Sequence, residues 1–155
     1  MNNLLPTDPQ GHPILTTDWA MSVDKSVVFA GGTTNDMGDF DGTGNPYTLF
    51  TVTGTVLLRI LAKCTVNLAG ASATLEVGAA LSTAGLIALT TATDIDANEI
   101  WHDATPDNSI EATTVLAQKI VAQNVIQTVK TANITSGAIT YTALWYPLSS
   151  GASVV

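Results

Sequence analysis

The sequence predicts an all-β chain: a single antiparallel β-sandwich or jelly-roll-like barrel with an extended N-terminal arm. Three observations predict it. Residues 56–68 alternate strictly, with Val56, Leu58, Ile60, Ala62, Cys64, Val66 and Leu68 on one face and Leu57, Arg59, Leu61, Lys63, Thr65 and Asn67 on the other, the period of two that a half-buried strand requires. Further short apolar runs are separated by clusters of Gly, Asp, Asn and Pro, which punctuate turns. Hydrophobic residues make up 46% of the chain and charged residues only 12%, so Thr, Ser and Asn replace charge on the outer surfaces, and β-branched Thr suits a pleated strand.

A chain of 155 residues is long enough to bury one core without staples. We divide it into an arm, 1–22, and a body, 23–155. Pro6, Pro9 and Pro13 stand among polar residues in the arm, without the periodicity that would let it bury a face. Leu4, Leu5, Pro6, Pro9, Pro13 and Trp19 are its expected partner contacts, and Trp19 and Met21 anchor its end.

Within the body, residues 27–30 are a first strand candidate, followed by the long loop GGTTNDMGDFDGTGNPY. Loops of this length in a compact domain are often functional. The strand at 56–68 is expected to turn at Ala69-Gly70-Ala71-Ser72 and to return as a hairpin through Ala73, Leu75 and Val77, with Thr74 and Glu76 outward. Leu57 and Leu61 keep part of the outer face apolar. A second hairpin is expected between 124–130 and 138–146 across the polar TANITSG. In its last strand Ile139, Tyr141, Ala143 and Trp145 share one face and Thr140, Thr142, Leu144 and Tyr146 the other, until Pro147 ends it. Residues 85–89, 99–102 and 119–122 are shorter strand candidates, with a helix over 109–122 as the competing reading. Several short strands imply two layers, because one antiparallel sheet would leave its apolar face in water.

The net charge is −8, and the basic residues are Lys25, Arg59, Lys63, Lys119 and Lys130. That balance argues against nucleic acid and anionic membrane as direct partners and leaves docking onto a basic protein patch open. Cys64 has no partner cysteine and reads as a small buried hydrophobe. The opening MNNLLPTDPQ has no basic n-region and no apolar core, so folding in a cytoplasm is expected.

No chemistry is specified by a motif. Asp39, Asp41 and Gly42, and separately Asp94, Asp96, Asn98 and Glu99, are the right ligand type for calcium, but neither run has an EF-hand's spacing. We read both as turn acids. His12 and His102 lie far apart, so no zinc set, catalytic group or cofactor is expected. His102 beside Asp103 reads as a surface or rim histidine, because neighbouring strand residues point to opposite faces. Gly31-Gly32 and Gly42-Thr43-Gly44 do not open a phosphate loop. Trp101, Tyr141 and Trp145 read as core aromatics rather than a carbohydrate platform.

Three stretches, FTVTGTVLLRILAKCTVNLAGASATLEVGAA, DIDANEIWHDATPD and IVAQNVIQTVKTANITSGAITYTALWYPLSSGASVV, resemble small structural proteins of tailed-bacteriophage virions. The resemblance covers about residues 50–155 as a pattern of strands and turns, and no functional residue is carried over from it. It implies a capsid decoration, or cement, protein: non-enzymatic, homotrimeric, set on the capsid exterior and bridging subunits of the major capsid protein. The alternatives are a tail- or fibre-associated virion module and, behind it, a carbohydrate-binding β-sandwich.

Overall fold

A computed structural model describes residues 21–31, 36–107, 110 and 116–155. The strands are β1 (Met21–Phe29), β2 (Tyr47–Phe50), β3 (Val52–Thr53), β4 (Val56–Ala69), β5 (Thr74–Ala79), β6 (Ser82–Thr91), β7 (Ile100–Trp101), β8 (Lys119–Val121), β9 (Val125–Lys130), β10 (Ser136–Pro147) and β11 (Ser153–Val154). The only helix among the described residues is the 3-10 turn Ala92–Asp94. None of their helices is long and apolar enough to cross a membrane.

All pairings between these strands are antiparallel. One sheet runs β1-β10-β4, with β7 and β8 both paired to the far edge of β4, and the other runs β2-β9-β5-β6. Between one sheet and the other the chain crosses from β1 to β2, from β2 through β3 to β4, and from β4 to β5, β6 to β7, β8 to β9 and β9 to β10, while β3 pairs with β11 in a separate two-stranded ladder. Two layers with this order make an antiparallel β-sandwich with jelly-roll topology, as the sequence predicts. The core between the sheets takes Val27, Phe29, Leu58, Ile60, Tyr141 and Trp145 from the first and Phe50, Leu75, Val77, Ile87, Val125 and Val129 from the second.

Both expected hairpins are corrected. β4 and β5 lie in different sheets, as do β9 and β10, so the turns at 69–72 and 131–135 are arches between layers. The residues on either side are strands as predicted, but alternation records only which face is buried. Two strands facing each other across a core show the same pattern as two strands side by side. The arches lie together: Thr135 N donates to Ala69 O at 2.7 Å, and Gly31 N and Ile134 N bond Ile134 O and Gly38 O, each at 2.9 Å. Ile134 is fully buried there and plugs this end of the sandwich. The actual tight hairpin joins β5 to β6, with Ala79 opposite Ser82.

Three smaller departures have local causes. The pairing of β4 with β10 slips between Ala138↔Val66 and Ile139↔Cys64. The bulge keeps Cys64 and Leu68 buried but ejects Val66, expected inside, to 55% exposure. Glu76, expected outward in solvent, is buried, because β5 and β9 are covered on both faces. β1 begins at Met21, two residues inside the expected arm. Its inner row of Met21, Val23, Lys25, Val27 and Phe29 is interrupted by a lysine whose Nζ stands 5.7 Å from the centre of the Tyr47 ring. The long loop yields β2 at its end, and Asn45 stands in for a strand residue beside β9, accepting from Val129 N (3.0 Å) and donating to Val129 O (2.8 Å).

Candidate functional site

Leu4, Leu5, Pro6, Pro9, Pro13 and Trp19, the expected partner contacts, lie outside the described residues, as does His12. Of the shorter strand candidates, 85–89 falls in β6, 99–102 contains β7 and 119–122 contains β8. The helix considered over 109–122 lies partly outside the described residues, and its described end is strand.

The acids considered for calcium are dispersed by the fold. Asp39 is buried while Asp41 is exposed. Glu99 turns back to accept from Asp96 N at 2.9 Å, closing its own turn. Among the described residues no three His, Cys, Asp or Glu side chains converge as a metal site. Cys64 is fully buried, and burial pushes its thiol up to about 11. Trp101 and Tyr141 meet edge to face, with ring centres 6.4 Å apart inside the core, and Trp145 is buried as well. No side of this group forms a stacking platform.

His102 departs from expectation. β7 ends at Trp101, so the strand rule no longer orients the next residue, and a bridge between Ile100 and Asp107 closes the loop around it. The imidazole is buried, with Nδ1 3.8 Å from Asp103 Oδ2 and Nε2 3.8 Å from Asp107 Oδ2. Two carboxylates thus flank one buried ring in the loop after β7.

The surface with the most distinctive chemistry is the outward face of the β1-β10-β4 sheet. Register places Tyr146 opposite Leu57 and Leu57 opposite Ile120, with Leu144 opposite Arg59 and Thr142 opposite Leu61 in the rows above. Directly opposed and diagonal side chains on one face touch, so Leu57, Leu61, Leu144, Tyr146 and Ile120 form one apolar patch around Arg59. Ile120 is 71% exposed and the sheet residues are half-buried. With its amide oxygen turned to the guanidinium, Gln118 accepts from Arg59 Nη2 at 2.6 Å and Nε at 3.3 Å, which orients the cation. Along the β1 side, Thr142 donates to Asp24 Oδ1 at 2.7 Å and Ser26 bonds Thr140 at 3.0 Å, giving the patch a polar rim.

Part of this face is legible in the sequence, since Leu57 and Leu61 break the polar side of the alternation. Its assembly is not, because Leu144, Tyr146 and Ile120 reach it from β8 and β10, which lie far along the chain from β4. A second feature lies beside β8: an open groove of about 540 Å³ between that strand and the β5–β6 hairpin, lined by Leu86, Lys119, Ile120 and Val121 among others.

Fold and surface together define a class: a jelly roll with an apolar, arginine-centred sheet face. Comparison with family models, with curated proteins and with solved structures finds no match.

Proposed function

We propose that this chain is a non-enzymatic virion structural protein that decorates and stabilises a phage capsid by bridging major capsid protein subunits. The observation that carries the reading is the outward face of the β1-β10-β4 sheet. It combines a tyrosine, an arginine and four aliphatic residues inside a polar rim, the composition of an interface centre rather than of a solvated sheet. The resemblance of residues 50–155 to tailed-phage structural proteins points the same way, and a jelly roll offers a rigid frame on which such a surface is preorganised.

In this reading the protein is made in the host cytoplasm and resides on the capsid exterior as a homotrimer. Leu4, Leu5, Pro6, Pro9, Pro13 and Trp19 contribute contacts to neighbouring subunits. Stabilisation follows from mass action: ligand that binds only the assembled shell shifts its equilibrium without any chemistry, and repeated sites add avidity. The test is to mix the purified protein with expanded capsids that lack it. Saturable co-sedimentation, a raised capsid melting temperature and density over subunit junctions by cryo-electron microscopy are expected. Failure to co-sediment, together with absence from intact particles, rejects the reading.

A further inference from the structure

Along one side of the sandwich each sheet presents an edge: β6 in one layer, and β7 and β8 beyond β4 in the other. The seam between them is closed at one end only. At the β7 end Trp101 Nε1 donates across it to Thr90 Oγ1 at 2.9 Å. At the β8 end it stays open as the groove of about 540 Å³, with Leu86 and Val121 in its lining, a volume within the roughly 300–1,000 Å³ typical of sites that bury a ligand. Its walls are strands paired on one side among the described residues, and the free edge of such a strand offers N–H and C=O groups to an added segment. The one charged residue of the lining, Lys119, is exposed and belongs to none of the ion pairs among the described residues. With the sheet face assigned to capsid subunits the groove shares only Ile120.

We propose that residues 1–20 of one copy dock in this groove of a second copy, Leu4 and Leu5 meeting Leu86 and Val121 while the Asp8 carboxylate meets Lys119. Charge selects the occupant: residues 1–20 hold Asp8 and Asp18 with no lysine or arginine, and Leu4, Leu5, Ile14, Leu15 and Trp19 supply apolar surface. Position selects the copy. Met21 pairs with Trp145, Trp145 with Leu58 and Leu58 with Lys119, so the chain enters β1 at the sheet edge opposite its own groove, three strand spacings or about 14 Å away. The shortest path along the sheet to that groove crosses the outward face given to the capsid. The sixteen residues from Leu5 to Ala20 reach up to roughly 50 Å, well beyond a body whose radius of gyration is about 15 Å at this chain length. A neighbour's groove is therefore within range. Arm and groove differ, so the contact is head-to-tail and closes into a ring when each copy gives its arm to the next. The inference rests on the self-association in the proposed function and deepens it by assigning the two surfaces that perform it.

Photo-crosslinking of the full-length protein, with p-benzoylphenylalanine in place of Ala122, tests it. Ala122 lines the groove and is exposed, so the probe leaves the core intact. Irradiation is expected to give a covalent dimer on denaturing gels, and mass spectrometry of that dimer should map the link to a peptide within residues 1–20. Lys119→Glu and Asp8→Lys should each lower the dimer yield by at least about fivefold, and the two together should restore most of it. Leu5→Asp, which alters no core residue of the body, should lower the yield similarly. A link formed only within one chain, a link to another segment, no link at all, or variants that cross-link like the parent protein overturns the inference. Capsid binding by a protein that links only within its own chain overturns it while leaving the proposed function standing; a dimer linked through residues 1–20 without capsid binding does the reverse.

Discussion

Trp101 donates its indole N–H to the hydroxyl of Thr90 at 2.9 Å, joining the edge of one sheet of the jelly roll to the edge of the other. Trp101 belongs to β7 and Thr90 to β6, and both are buried. The hydroxyl in turn has the carbonyls of Ala88 (3.1 Å) and Asp103 (3.2 Å) within reach of its proton. A buried donor left without a partner costs its desolvation. Thr90→Val keeps the shape and removes the acceptor, so it should lower stability by about 1–3 kcal/mol. Thr90→Ser should lose less. Urea unfolding followed by tryptophan fluorescence measures both.

Lys130 on β9 places Nζ 2.6 Å from Oε1 of Glu76 on β5. The carboxylate is almost wholly buried while the lysine is about half exposed, so water screens the pair from one side only. Lys130→Ala should cost about 2 kcal/mol, chiefly by leaving a buried charge uncompensated, a loss at the lower end for a broken pair because of that screening. The double replacement Glu76→Leu with Lys130→Leu should recover most of the loss. Chemical denaturation of the three variants decides it.

Gly137 adopts φ +119° at the bulge where β10 passes β4, and a Cβ there would lie 2.5 Å from Leu68 Cδ2 and 2.7 Å from Asn67 O. Gly137→Ala therefore meets both backbone strain and a main-chain oxygen, and should destabilise by about 2–4 kcal/mol. Gly44 has nothing within 4 Å of a Cβ, and Gly44→Ala should change stability by no more than about 0.5 kcal/mol. Thermal melts compare the pair directly.

Burial raises the Cys64 thiol to about 11 and holds the Tyr141 hydroxyl well above its ordinary value. Both groups are neutral when protonated, and the unfolded chain ionises them first, near pH ~8.5 and ~10. Their contribution to stability is therefore intact below those values. It is lost as pH rises toward the folded-state values, with a slope of at most about 1.4 kcal/mol per pH unit for each group. Denaturation midpoints should fall between pH ~9 and ~11, the fall shallower in Tyr141→Phe. Native Cys64 should resist alkylation at neutral pH and react once the chain is unfolded, as mass spectrometry would show.

The sequence by itself determined the fold class, the main core rows and the interior place of Cys64 and the aromatics. Periodicity reports burial directly: Val56 through Cys64 and Ile139 through Trp145 could bury one face only as strands. Leu57 and Leu61 even exposed the outer patch in outline. Only the tertiary structure decided which sheet each strand joins, because an arch at Gly70 or Asn133 and a hairpin present the same alternation. The jelly-roll order depends on that choice. Tertiary contacts also decided that Glu76 is buried against Lys130, that Val66 is pushed out at a bulge, and that His102 is enclosed once its strand has ended. These are relations between residues distant in the chain, set by packing and by pairs of hydrogen-bonding groups that no local pattern records.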